Sequence, residues 1–449
     1  MSTVVALIDG EHYPPVVRAA LAALGSEFDL VTAAFVGGTE KVDVGSDDAY
    51  GVPVVRGATA DDALRLAIAR YRPHAVVDLS DEPVLSSADR FRLASIALGA
   101  GVEYRGSDFR FTPPCPKLRL RTPALAITGT GKRVGKTAVS AHVARRLKAQ
   151  GTDVVVVAMG RGGPATPELI RGDQVALTTD DLLALAEQGK HAASDNYEDA
   201  VMSRVTTVGC RRCGGGMAGD TFFSNVPEGA RLADSLGKQL VILEGSGAAI
   251  PPVSADATLV VIGLGQGLTY IRDYFGPFRL GRADAVVLTG AEPPIASPEE
   301  IAVARAAIEQ IRPGLPVAAA TFRPSPIESV AGKRVFFATT APTALLDVLT
   351  SHLQTVHGCE VVGVSSNLSN KTLLREDMAA AAGRFDVLLT ELKAAAIDVV
   401  AMAGRDAGVP TVLCDNVPHA VEGDDLEGLL DRVAETALLR TNAGADGCR

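Results

Sequence analysis

Residues 124–147 constrain this chain more than any other segment. The apolar run Ala124-Leu125-Ala126-Ile127-Thr128 reads as a strand. Gly129-Thr130-Gly131-Lys132-Arg133-Val134-Gly135-Lys136-Thr137 reads as a glycine-rich loop, and the following residues to about Leu147 as a helix. A turn of this kind points backbone N–H groups inward at a helix start, where the helix dipole adds positive potential, so it suits a phosphate. Gly-Lys-Thr at the helix start sharpens the reading. Lys136 is placed to reach the β and γ phosphates of a nucleotide, and the Thr137 hydroxyl to bind magnesium. The expected cofactors are therefore ATP and Mg2+. The usual pattern has glycine six residues before the lysine, whereas here that residue is Thr130 and the glycine is Gly129. A ligand-free glycine turn is the alternative reading.

Such a unit belongs to layered α/β architecture, and the rest of the chain agrees. Short Val-rich runs alternate with longer helical patterns, the signature of parallel βαβ units. The composition suits buried parallel strands and Ala-rich helices: 47% apolar, 4% aromatic and no Trp. We expect three blocks. Residues 1–112 read as a Rossmann-like α/β domain without a Gly-x-Gly-x-x-Gly fingerprint. The Pro-dense stretch Thr112-Pro113-Pro114-Cys115-Pro116 breaks the chain. Residues 122–345 then read as a phosphate-loop ATPase domain with a parallel sheet, and 346–449 as a smaller α/β block, its tail 441–449 without regular structure.

The formal net charge of −10 argues against a broad surface for nucleic acid or an anionic membrane. The N-terminus lacks a charged region and a long apolar run, and no run of 18 apolar residues occurs, so a cytoplasmic protein is expected. Six cysteines in 449 residues make no disulfide framework.

A phosphate loop needs a second magnesium ligand at a neighbouring strand end. Leu240-Val241-Ile242-Leu243-Glu244-Gly245 ends on Glu244, the best candidate. Asp180, in Thr178-Thr179-Asp180-Asp181, is a further one, with helix capping as the competing reading. Arg161 follows a strand among glycines, and Arg211 and Arg212 precede Gly214-Gly215-Gly216. Both clusters pair guanidinium donors with exposed backbone, so they are candidate anion ligands. Cys210-x-x-Cys213 is a lone pair, better read with the arginines than as a zinc site. Lys393, after a strand, reads either as a substrate contact or as a solvent lysine. His12, beside Asp9 and Glu11, marks a crevice in the first block.

The loop Gly-Thr-x-x-x-Val-Gly-Lys-Thr with the strand end Glu-Gly-Ser-Gly resembles dethiobiotin synthetase, whose loop is one residue longer than the strict pattern and whose strand-end Glu binds magnesium. The resemblance also points to a magnesium-binding Asp near position 180. With Asp9-Gly10-Glu11-His12-Tyr13-Pro14, Gly209 to Gly219 and Thr390-Glu391-Leu392-Lys393-Ala394, the whole chain resembles the cyclic 2,3-diphosphoglycerate synthetases more closely. That resemblance implies a homodimer acting on a small phosphorylated acid. ATP would phosphorylate one phosphate of 2,3-bisphosphoglycerate, and the other phosphate would then close the ring. Lys136, Arg161, Arg211 and Arg212 would supply the positive charge this needs. The alternatives are a dethiobiotin-synthetase-like ligase acting on a carboxylate or carbamate, and a regulatory ATPase switch.

Overall fold

The computed structural model of the protein describes residues 1–38, 40, 41 and 47–440; the tail 441–449 lies outside the described residues. The first block forms its own sheet from β1 (Thr3–Ile8), β2 (Asp29–Phe35), β3 (Val54–Val55), β4 (Ala75–Asp78), β5 (Glu103–Arg105) and β6 (Arg110–Phe111). Its order is β3-β2-β1-β4-β5-β6, parallel except for the β5–β6 pair. The order reverses between β1 and β4, as at the ligand crevice of doubly wound folds. There His12 Nδ1 lies 2.8 Å from Asp9 Oδ1 and its Nε2 3.2 Å from Asp81 Oδ2.

The first block rests on the second through aromatic packing. Phe275 and Phe278 join the core that holds Leu93 and Ala97, and Phe91 meets Phe275 edge-on at 5.4 Å.

The remaining strands form one continuous sheet. They are β7 (Ala124–Gly129), β8 (Val154–Gly160), β9 (Glu168–Arg171), β10 (Thr206–Gly215), β11 (Thr221–Ser224), β12 (Leu240–Glu244), β13 (Ala257–Gly263), β14 (Ala285–Thr289), β15 (Val317–Pro326), β16 (Arg334–Ala338), β17 (Glu360–Ser365), β18 (Val387–Glu391) and β19 (Thr411–Ala420). The order is β11-β10-β8-β12-β7-β13-β14-β15-β19-β18-β16-β17, with β9 beside β10. Two halves meet at the antiparallel β15–β19 pair, each parallel within itself except where β9 and β11 pair antiparallel with β10 at one edge. Every residue of β7, β8 and β12 is buried, as expected of strands covered by helices on both faces.

Two features differ from the block reading. Arg334–Ala338, grouped above with the second block, pairs with β17 and β18 of the third. The helix Leu426–Leu439 returns to the phosphate-loop half, where Leu429, Leu430 and Val433 share a core with Leu125, Ile127 and Val143. Arg146 fixes it from outside, donating from Nε and Nη2 to the two Asp431 carboxylate oxygens at 2.6 Å each.

Cys115 is disulfide-bonded, whereas Cys210, Cys213, Cys359 and Cys414 are free. No helix among the described residues is long and apolar enough to cross a membrane.

Candidate active site

The site forms where β7, β8, β10 and β12 end side by side. Register places Glu244 opposite Ile127 of β7 and Ala158 of β8, and Arg211 opposite Gly160. The loop after β7 wraps into the helix Lys136–Ala149, whose cap Gly135 has φ +83°. A β-carbon there would lie 2.3 Å from the Phe322 ring, so backbone conformation and close approach both require glycine. Thr130, standing where glycine is usual, is buried and donates Oγ1 to Gln266 Oε1 at 2.8 Å. The Val134 carbonyl accepts from Thr289 Oγ1 at 2.8 Å.

Lys136 is only 7% exposed, and its ammonium donates to the Gly131 carbonyl at 2.7 Å. Burial pulls its pKa down to about 8, against the opposing pull of Glu244 and Asp195. A charge so poorly solvated favours an incoming anion. Lys132 is exposed at the loop tip. Arg133 is exposed, sits at φ +62° and donates Nη2 to Ser369 Oγ at 3.0 Å, tying the loop to the third block.

Thr137 Oγ1 donates to Glu244 Oε1 at 2.6 Å, while the buried Glu244 Oε2 has no partner among the described residues. Asp199 presents two further buried oxygens that find no donor among the described residues, and its carboxyl stands within hydrogen-bonding reach of Glu244. Burial first, then the Glu244 charge, raises the Asp199 pKa. Carboxylates assembled this way need a proton or a cation between them. Asp195, also buried, is surrounded by the charges of Lys393, Lys136 and Arg161. This donor set of hydroxyl and carboxylate oxygens fits magnesium, which takes one or two carboxylates and completes its shell with water and phosphate.

The structure corrects Asp180. It is exposed in the first turn of the helix Thr179–Glu187, and its charge acts on Arg405, away from Glu244. The capping reading describes this helix start: Thr178 is the cap, and its side chain and backbone N–H pair with Asp181. The carboxylates at the site come from the helix Asp195–Ser203 instead. Asp195, Glu198 and Asp199 stand three and four residues apart, which puts them on one helix face, and that spacing was the available signal.

The two adjacent arginines of β10 part company. Arg212 Nη2 donates to the Ser246 carbonyl at 2.7 Å, and its buried Nε has no partner among the described residues. A β-carbon on Gly247, at φ +62°, would lie 2.5 Å from Arg161 Nη2 and 3.2 Å from Arg212 Nη2. These two guanidiniums therefore converge, with no carboxylate within 4.0 Å of either among the described residues. Burial, then Arg161, lowers the Arg212 pKa. Arg211 is a correction: its Nε donates to the Pro164 carbonyl and its backbone N–H to Asn225 Oδ1, each at 2.7 Å. Successive strand residues face opposite ways, so it braces the Arg161 loop rather than joining Arg212.

Cys210 is buried, which pushes its thiol up to about 12, and Cys213 is exposed; the two do not converge on a metal. Lys393 is not a solvent lysine: its Nζ lies 3.1 Å from Glu198 Oε1.

A glycine loop at a parallel strand end, a buried Lys, and Thr137 locked to a strand-end carboxylate define a nucleotide-binding protein of the phosphate-loop class. Comparison with known proteins resolves the class. Family models described as the N-terminal, P-loop and C-terminal domains of cyclic 2,3-diphosphoglycerate synthetase match residues 3–112, 124–321 and 326–417. The proteins named cyclic 2,3-diphosphoglycerate synthetase of Rubrobacter xylanophilus, Methanothermus fervidus and Thermococcus kodakarensis are 49%, 44% and 48% identical to it. The matches cover 96%, 97% and 94% of this chain and 97%, 97% and 96% of theirs. The chain belongs to the cyclic 2,3-diphosphoglycerate synthetase family.

Proposed function

We propose that this chain is an ATP-dependent synthetase that closes 2,3-bisphosphoglycerate into its cyclic anhydride. The observation that carries this reading is the convergence of Arg161 and Arg212, with no carboxylate within 4.0 Å of either among the described residues, beside a phosphate loop suited to the nucleotide. An acceptor bearing phosphates needs that additional charge.

One phosphate oxygen of the acceptor attacks the γ-phosphorus of ATP, breaking its bond to the bridging oxygen and releasing ADP. The acceptor's second phosphate then attacks the phosphorus of the original ester phosphate, and inorganic phosphate leaves. Lys136 holds the β and γ phosphates, and the backbone of Gly129–Thr137 orients them. Arg161 and Arg212 draw the two acceptor phosphates together against their mutual repulsion. Magnesium, held by Thr137, Glu244 and Asp195, would offset charge on the transferring phosphoryl group.

We further propose that the protein works in the cytoplasm as a homodimer on this small acid, without nucleic-acid or membrane partners. Sedimentation tests the dimer. Phosphorus NMR of protein with ATP, magnesium and 2,3-bisphosphoglycerate tests the reaction. A cyclic product with equimolar ADP and phosphate is expected. Turnover supported only by a carboxylated metabolite would overturn the assignment in favour of a ligase.

A further inference from the structure

Lys393 lies just past the end of β18, in the third block, yet its charge acts on groups of the second. Its Nζ lies 3.1 Å from Glu198, one helical turn from Asp195, and the charges of Lys393, Lys136 and Arg161 all act on Asp195. The Lys393 side chain is 29% exposed, so it borders the site rather than lying sealed in a core.

Its pairing is incomplete. An ammonium has three N–H donors, and among the described residues its ion-pair partner within 4.0 Å is Glu198, at 3.1 Å. The neighbouring strand-end carboxylate, Glu391, is already saturated by neutral donors. Its Oε2 accepts from Thr340 N at 3.0 Å and Thr340 Oγ1 at 2.7 Å; its Oε1 accepts from Asn416 Nδ2 at 3.0 Å and from Thr339 Oγ1. Glu391 therefore acts on Lys393 as a fixed charge and leaves its donors available.

The local backbone is specialised. Ala394 has φ +47°, left-handed at a residue with a β-carbon, and Ala396–Ala401 form a π-helix. Both features are costly and concentrate at functional sites. Both follow directly on Lys393, whose ammonium meets Glu198 on the helix Asp195–Ser203. Burial alone would lower its pKa, but Glu198 and Glu391 raise it, so the ammonium stays charged.

We propose that Lys393 is a catalytic residue that binds a phosphate of the acceptor, leaving Glu198 for the substrate when the acceptor arrives. The proposal rests on the synthetase reading above and assigns the third block a direct part in the chemistry. Glu198 is then the resting partner that keeps the ammonium oriented while the site is free.

The test compares Lys393→Met, Lys393→Arg and Glu198→Gln with wild type in ADP release driven by 2,3-bisphosphoglycerate, alongside ATP affinity and melting temperature. Lys393→Met is expected to raise the acceptor KM or lower kcat at least about tenfold, with ATP affinity within about twofold of wild type. Lys393→Arg should recover part of the loss, because the charge is kept. Glu198→Gln should change the acceptor KM clearly less than Lys393→Met does, because the ammonium that meets the acceptor is kept. A purely structural ion pair would instead make Lys393→Met and Glu198→Gln equally defective, with matching losses of melting temperature. That result, or wild-type acceptor kinetics in Lys393→Met, or loss of ATP affinity in place of acceptor affinity, overturns the proposal. Failure of the synthetase reading shows separately, as absence of cyclic product from the wild type.

Discussion

Thr137 and Glu244 stand 107 positions apart in sequence, yet the Thr137 hydroxyl donates to the Glu244 carboxylate across 2.6 Å. The bond forms because β12 runs parallel beside β7, so the strand-end acid meets the first turn of the helix that leaves the loop. It holds two oxygen donors together before any cation arrives, which reduces the ordering required at binding.

If the proposed magnesium site is right, Glu244→Gln and Asp195→Asn each raise the magnesium concentration for half-maximal ADP release about tenfold or more, since each removes a proposed charged ligand. Asp180→Asn should stay within about twofold of wild type, as for a surface change away from the site. Magnesium titrations of the three variants decide this. An effect at Asp180 equal to that at Asp195 would return the metal ligand to the former.

Lys136→Ala should abolish turnover, losing about a hundredfold or more in kcat, because the phosphates lose a preorganised charge. Its melting temperature should match or exceed that of wild type, since burial already disfavours this ammonium. A fall in melting temperature parallel to the loss of activity would show a structural role instead.

Gly247→Ala tests the paired guanidiniums. The new β-carbon would meet Arg161 Nη2, and a left-handed non-glycine residue costs about 1–2 kcal/mol by itself. The acceptor KM should rise while ATP affinity holds. If ATP affinity falls instead, the two arginines serve the nucleotide.

Leu430→Ala should destabilise the fold by about 2–5 kcal/mol, because the side chain is buried within the phosphate-loop core. Denaturant unfolding measures it. A cost below about 0.5 kcal/mol, ordinary for a surface change, would mean that the final helix does not complete that core.

The first block carries a pH dependence of its own. The hydrogen bond to Asp9 is the largest effect on the His12 pKa; burial, the next, pulls it down, and the charges of Asp9 and Asp81 with the Asp81 hydrogen bond leave it raised above its ordinary 6.5. A raised pKa means the folded state binds the proton more tightly. The stabilisation is therefore fully present below about pH 6.5 and is lost as pH rises through the folded value. The melting-temperature gap between wild type and His12→Gln should narrow from pH 6 to pH 8, by calorimetry. A gap that stays constant or widens across that range would remove the charge pairing as its cause.

Local chemistry made the loop at 129–137 and the strand end at Glu244 legible in the sequence alone. Glycine placement, the Gly-Lys-Thr start and an apolar run closing on an acid are each set within a dozen residues. The βαβ rhythm likewise announced parallel sheets, because buried strands must be apolar on both faces. Other choices were long-range. Asp180 and Asp195 both lie near helix starts, and only the packing of the helix Asp195–Ser203 beside β8 and β10 selects the second. Arg211 and Arg212 are indistinguishable in composition, and strand alternation together with the register against β8 sends one to Pro164 and the other to Ser246. The return of Leu426–Leu439 to the first half of the sheet depends on β19 pairing antiparallel to β15, a contact between strands whose starts are 94 residues apart. Side-chain direction and strand neighbours are global properties, fixed by which surfaces bury one another, and that is what the tertiary structure decided.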